Sequence, residues 1–255
     1  MAKVLDVWPT LPLSISLNID DRNPDGDDLI SGLKHHDCLT EIKLWGLTKP
    51  QLERYAMMMQ GSFPILRTLV LNSRAAIPSV ITDAFLGGSV PRLRELILCH
   101  VPFPTLPNLL LSASDLVHLR LDQIPSTGYI SPDTMAACMS MLPRLEWVSV
   151  TFQPQESFPD LINRRPPSPA RAVLPALTRF VLKGVSEYSE DLMTRIDARL
   201  LNNLDLEFFH QPQPVLDIPQ VLHFMNRAER LKRPDRAQVE FRDDTFSVDL
   251  NLWGG

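Results

Sequence analysis

Three groups of residues in this 255-residue chain have types suited to chemistry. The acidic stretch Asp20-Asp21-Arg22-Asn23-Pro24-Asp25-Gly26-Asp27-Asp28 places Asp21, Asn23, Asp25 and Gly26 in the D-x-N-x-D-G order of a calcium loop. There, oxygen ligands at alternate positions surround a hard cation and glycine makes the sharp turn. The twelfth position, which needs a bidentate Glu, is Gly32, and the eighth, ordinarily apolar, is Asp28. The stretch therefore reads as a solvated turn. His35-His36-Asp37-Cys38 offers four ligand-capable side chains, but consecutive residues point in different directions and no second cluster completes a tetrahedral site. Cys99 and His118 are a nucleophile and a base. The strands on which they fall offset them by four residues, about 13 Å at 3.3 Å per residue, where a thiol–imidazole pair needs about 3 Å. No G-x-S-x-G elbow, phosphate-binding G-x-x-x-x-G-K-[ST] loop, H-E-x-x-H helix or G-x-G-x-x-G turn occurs. The expectation is a non-enzyme without catalytic residues, cofactor or metal.

What positions these residues is a repeat. The pattern Leu-x-x-Leu-x-Leu recurs from Leu39, Leu66, Leu93, Leu116, Leu145, Leu177 and Leu201, at intervals of 27, 27, 23, 29, 32 and 24 residues, the period of leucine-rich repeats. All 21 anchor positions are apolar, whereas only six of the 21 residues alternating with them are: Trp45, Val70, Ile97, Cys99, Trp147 and Val181. Such alternation predicts half-buried strands. A fourth anchor follows three residues after the last Leu in Leu47, Val101, Ile124, Val185 and Phe209, with Arg74 and Gln153 as exceptions. No copy puts Asn or Cys there to bond the loop backbone. Pro64, Pro91, Pro143 and Pro175 each stand two residues before a first Leu, where a fixed φ and a missing N–H end a helix and start an extended segment.

Between strands the period changes to about 3.6. Leu52, Tyr55, Ala56 and Met59 share one face of a helix over 49–60. Another begins at Ser131, with Pro132 in the first turn and Asp133 at the positive end of its dipole, and ends near Met141. Further helices are expected over 78–85, 189–197 and 217–230. Strand and helix alternating at a fixed period imply parallel strands and stacked units. The expected fold is a right-handed, leucine-rich-repeat-like α/β solenoid with parallel strands on the concave face and helices on the convex face. It occupies 1–255 as a single domain, with repeat strands near 13–19, 39–45, 66–72, 93–99, 116–122, 145–151, 177–183 and 201–207. Within the repeats the strands proper centre on 41–45, 68–72, 95–99, 118–122, 147–151, 179–183 and 203–207. The first strand is placed because Ile15 and Leu17 precede Ile42 and Leu44 by 27 residues. A C-terminal hairpin is expected over 238–252. The segment 152–174, with five prolines and Arg164, Arg165 and Arg171, reads as an exposed Pro-rich loop.

Hydrophobic residues make up 44% of the chain and charged residues 22%, which excludes a disordered tail. Lys and Arg number 25 against 30 Asp and Glu, a formal charge of -5, so no global positive field gathers nucleic acid or an anionic membrane. Three widely spaced cysteines suit reduced thiols, and with no signal peptide or apolar span in the sequence they place the protein in the cytoplasm or nucleus. The concave ladder runs Glu41, Thr68, Glu95, His118, Trp147, Arg179, Asn203 at its third positions, and its middle mixes Glu95, His118, Arg120, Asp122, Trp147 and Arg179. An aromatic beside Arg and carboxylates has the composition of protein-interface hot spots. These six are the candidate partner-binding residues, and the partner is a protein of unknown identity.

The Pro-x-Leu-x-x-Leu-x-Leu punctuation, Leu-Pro-Leu-Ser-Ile-Ser-Leu at 11–17 and Leu-Leu-Asn-Asn-Leu-Asp-Leu at 200–206 resemble the fungal F-box-like proteins with irregular leucine-rich repeats. The resemblance covers nearly the whole chain. It implies a repeat region that recruits the substrate of a cullin-type ubiquitin ligase. The F-box module that docks on a Skp1-type adaptor is not visible, so that adaptor is expected as a partner only where an F-box lies outside this chain. The chain then reads as a fragment of such a protein or as a stand-alone repeat protein. An enzyme with a loop-built site is the alternative.

Overall fold

A computed structural model describes residues 11–18, 27–74, 81–154, 171–209, 218–232, 236–242 and 245–251. Residues 19–26, 78–80, 155–170, 217, 243–244 and 252, on which parts of the acidic turn, the 78–85 helix, the Pro-rich loop and the hairpin were placed, lie outside the described residues. The chain divides into two compact units, Met1–Tyr129 and Ile130–Gly255.

The first unit holds β1 (Leu13–Asn18), β2 (Leu39–Leu47), β3 (Thr68–Ser73), β4 (Glu95–Cys99) and β5 (His118–Ile124), each parallel to the next. Its connections carry α1 (Asp27–Leu33), α2 (Lys49–Met58) and the five-residue α3 (Leu106–Leu110). The second holds β6 (Trp147–Phe152), the two-residue β7 (Ala172–Val173), β8 (Arg179–Gly184), the two-residue β9 (Ile196–Asp197) and β10 (Asn203–Phe209). Strands β6, β8 and β10 are parallel, and β7 pairs with β9. Helices α4 (Pro132–Ser140), α5 (Ser186–Arg195) and α6 (Pro219–Arg227) belong to this unit, which ends in β11 (Arg236–Arg242) and β12 (Thr245–Asn251). The final two strands form an antiparallel hairpin, with β12 against β10. The architecture is mixed α/β, with eight parallel strands and helices between them.

The repeat sets the register. Ile15 pairs with Ile42, Leu69 with Leu96, Leu96 with Leu119, and Val148 with Phe180, so each apolar anchor stacks on the same anchor of the next copy. Every one of the 21 anchors is at most 3% exposed. Except for β2, which begins on Leu39 itself, the strands start two residues later than the Leu-x-x-Leu-x-Leu motifs because the first Leu closes a β-turn. Leu66 donates to Phe63, Leu93 to Val90, Leu145 to Leu142 and Leu177 to Leu174. The four punctuating prolines hold the second place of these turns, where φ near -65° is wanted and no N–H is needed. The first residue of each turn is a further core position, with Phe63, Val90, Leu142 and Leu174 no more than 1% exposed.

In place of an asparagine ladder, the backbone itself ties copy to copy. Arg67 N–H donates to Thr40 O (2.8 Å), Arg94 to Arg67 (2.8 Å) and Val117 to Arg94 (2.9 Å), and Thr178 to Glu146 and Asn202 to Thr178 (2.9 Å each) in the second unit. The two exceptions at the fourth anchor also find a cause. Gly46, His100 and Gln123 occupy the left-handed region at φ 71°, 56° and 52°, which breaks the alternation and turns the next residue, Leu47, Val101 or Ile124, into the core. In the second and fifth copies alternation continues, and Ser73 and Phe152 are buried in place of Arg74 and Gln153; the sixth and seventh bury Val185 and Phe209 without a left-handed residue.

Helix α2 starts and buries Leu52 and Tyr55 as its periodicity predicts. Ser131 caps α4, its Oγ accepting from Thr134 N–H at 3.3 Å. The helix expected over 78–85 is not seen where that segment is described, and 81–82 carry no helix. A single 3-10 turn, Phe85–Gly88, follows, interrupted by left-handed Leu86 and Gly87. A Cβ on Gly87 would lie 3.1 Å from Ser62 Cα, so only glycine permits that approach. The expected loop 152–174 is corrected at its ends, where Phe152 closes β6 and Ala172–Val173 form β7. No helix among the described residues is long and apolar enough to cross a membrane.

Candidate protein-interaction surface

Strand residues alternate faces, so with the anchors in the core the third, fifth and seventh positions of each copy share the opposite face. In the first unit this open face carries Glu95, His118, Arg120 and Asp122 on β4 and β5. Glu95 is the register partner of His118, and Ile97 of Arg120. Arg120 Nε donates to Asp122 Oδ2, two residues along the same strand, leaving the Arg120 side chain 46% exposed and Asp122 only 13%. At the other end of the unit Lys43 pairs with Glu41, and Ser14 Oγ donates to Glu41 at 2.6 Å. The Lys43 hydrogen bond, helped by that of Ser14, holds the Glu41 carboxyl below the usual carboxylate range. The same pair raises Lys43.

The second unit carries Trp147 and Arg179, register partners on β6 and β8. The Arg179 guanidinium lies over the Trp147 ring, 5.1 Å from its centroid, in a cation–π stack. Beside them Ser149, Thr151 and Val181 are buried at 5%, 6% and 7% exposure. Lys183 Nζ donates to Glu207 Oε2 across the next strand pair at 2.7 Å. The six candidate residues therefore fall as two sets: an ion pair with a register-paired Glu and His, and an aromatic–guanidinium stack.

The thiol geometry differs from expectation. Cys99 is in register with Asp122, four residues from His118 as the strands require, but its Sγ lies 3.4 Å from Nδ1 of the adjacent His100. The left-handed backbone at His100 folds its ring back, a feature with no sequence signal because few L-residues adopt that conformation. Burial and the neighbouring Asp122 charge push the Cys99 thiol above its ordinary value, against smaller opposing contributions from Arg120 and Asn72. Since the thiolate is the reacting species, Cys99 in the native protein should alkylate with iodoacetamide at pH 7.5 more slowly than a free cysteine. Its rate should rise only above the usual thiol range. Rapid alkylation at neutral pH, followed by mass spectrometry of the Cys99 peptide, would contradict this. Cys38, Cys99 and Cys138 are all free thiols.

His35 to Cys38 close a turn, with Cys38 Sγ donating to His35 O at 3.2 Å and His36 Nδ1 3.1 Å from Asp37 Oδ1. Among the described residues no three His, Cys, Asp or Glu side chains gather as a metal site. No protein-family model, curated protein or solved structure matches this chain.

Proposed function

We propose that the protein is a non-enzymatic interaction scaffold. In this reading it is a right-handed, leucine-rich-repeat-like solenoid whose concave strand face captures a protein partner in the cytoplasm or nucleus, like the substrate-recruiting repeats of an F-box protein. The observation that carries it is the Trp147–Arg179 stack, the two residue types most enriched at interface hot spots held together on a sheet face. The stacking of like anchors from strand to strand within each unit supports the solenoid. The net charge of -5 argues against a phosphate-backbone partner.

Affinity capture with the native chain as bait tests the reading. The double variant Arg120→Ala, Trp147→Ala should recover its partner at least about tenfold less well, since truncating a central aromatic or Arg commonly costs about 2 kcal/mol or more. Thermal melting controls for folding, because Arg120→Ala removes the ion-pair partner of Asp122. Equal recovery of the same proteins by both baits would move the working surface elsewhere.

A further inference from the structure

We propose that Arg179, held over the Trp147 ring, is a carboxylate-recognising anchor, and that the surface around it takes an extended acidic segment of a partner protein. The inference rests on the scaffold reading and names the chemistry of its partner.

Charge pairing on the open faces singles Arg179 out. Lys43 is neutralised by Glu41, Arg120 by Asp122 and Lys183 by Glu207. Arg179 is the cation of these faces that makes no ion pair among the described residues, and its register partners are Trp147 on one side and Asn203 on the other. The nearest acids of β10 are opposite other residues, Asp205 opposite Val181 and Glu207 opposite Lys183. The indole contact uses no N–H donor of the guanidinium in an ion pair, and the exposed side chain keeps donors for a ligand. It also holds a long side chain in one conformation, so less ordering is lost on binding. A planar donor fork matches a carboxylate in bidentate geometry.

The surroundings favour a peptide over a polyanion. Ser149, Thr151 and Val181 beside it are buried, so the exposed group that a ligand meets here is the Arg179 side chain itself. Asp205 and Glu207 stand on the neighbouring strand. One carboxylate matches Arg179, whereas a polymer with a charge at every unit would find Lys43, Arg120 and Lys183 already paired with carboxylates.

The probe is an immobilised library of octapeptides in matched pairs, one member carrying Asp or Glu and the other the corresponding amide at the same position. The full chain should retain the acidic members over their amide partners by about tenfold, a difference of about 1.4 kcal/mol, and that preference should shrink with salt. Arg179→Gln should abolish the preference without changing the melting temperature, and Arg179→Lys should restore part of it. Trp147→Phe keeps an aromatic platform and should retain more preference than Trp147→Leu. Retention without acid preference, or a preference that survives Arg179→Gln, overturns the proposal. So does failure to retain any peptide, or displacement of the peptides by a single-stranded oligonucleotide at equal charge. Peptides retained without acid preference but lost on Trp147→Leu would leave the scaffold reading standing while removing the carboxylate assignment.

Discussion

Leu96→Asp should unfold the first unit or leave it barely stable, whereas Arg94→Asp, two residues away, should change stability by less than about 1 kcal/mol. Leu96 is fully buried, with Leu69 and Leu119 as its register partners on either side. Removing its side chain alone costs about 2–5 kcal/mol as a cavity, and a carboxylate in its place adds the penalty of burying an unpaired charge. The total is comparable with the whole stability of an ordinary domain, about 5–15 kcal/mol. Arg94 is exposed, and its link to Arg67 and Val117 runs through backbone atoms that the substitution keeps. Urea melts of the two variants measure the difference. Coincident midpoints would mean that the strand register is wrong.

The second large effect is expected at Arg195, the buried charge that joins α4 to α5. Its side chain is 5% exposed and binds Asp133 on α4 at 2.8 Å and Asp191 one turn back on α5 at 3.0 Å. Removing both acids, as in Asp133→Asn with Asp191→Asn, takes two carboxylates away from a guanidinium in the interior. Stranding a buried charge costs about 3–5 kcal/mol, somewhat less here because the two carboxylates are 54% and 21% exposed. Arg195→Met should cost less than the double acid variant, because Met fills similar volume and the carboxylates left behind reach water. Thermal denaturation of the three proteins ranks them. If Arg195→Met is the least stable, the ion pairs contribute more than their desolvation costs.

This interaction illustrates why part of the molecule was not legible beforehand. Arg195 and Asp133 are 62 residues apart, and no local pattern marks them as neighbours. The start of α5 was hidden for the same reason. A helix is expected over 189–197, but it begins at Ser186 and ends at Arg195. Tyr188 belongs inside it, packing on Phe152 at 4.7 Å and donating its hydroxyl hydrogen to Ile130 O at 3.1 Å. Ser189 bonds back to Val185 O, as serines within helices do. The N-terminal end of α6 is likewise satisfied from a distance. Glu190 accepts from Gln220 and Val221 N–H at 2.9 Å each, doing for that helix what Ser131 does locally for α4. Helix α1 was missed because the acidic stretch at its start reads as a solvated turn, and the five-residue α3 is too short to show a helical period.

What the sequence determined by itself is the set of repeat strands, though not the short β7 and β9, with their parallel order within each unit and the residues of their core. The physical reason is that a period of two is a local property: each Leu-x-x-Leu-x-Leu buries one face of its own strand, and a fixed spacing stacks anchor on anchor. It also placed Trp147 and Arg179 as register partners on neighbouring strands. Only the tertiary structure decided what those surface residues do with one another, that Arg120 and Lys183 are neutralised by carboxylates while Arg179 lies on an indole. Side-chain pairing depends on rotamer and on which chemical group arrives from another copy, and alternation carries no record of either. The left-handed residues His100 and Gln123 belong to the same class, since a positive φ is uncommon outside glycine and no local pattern marks these two positions.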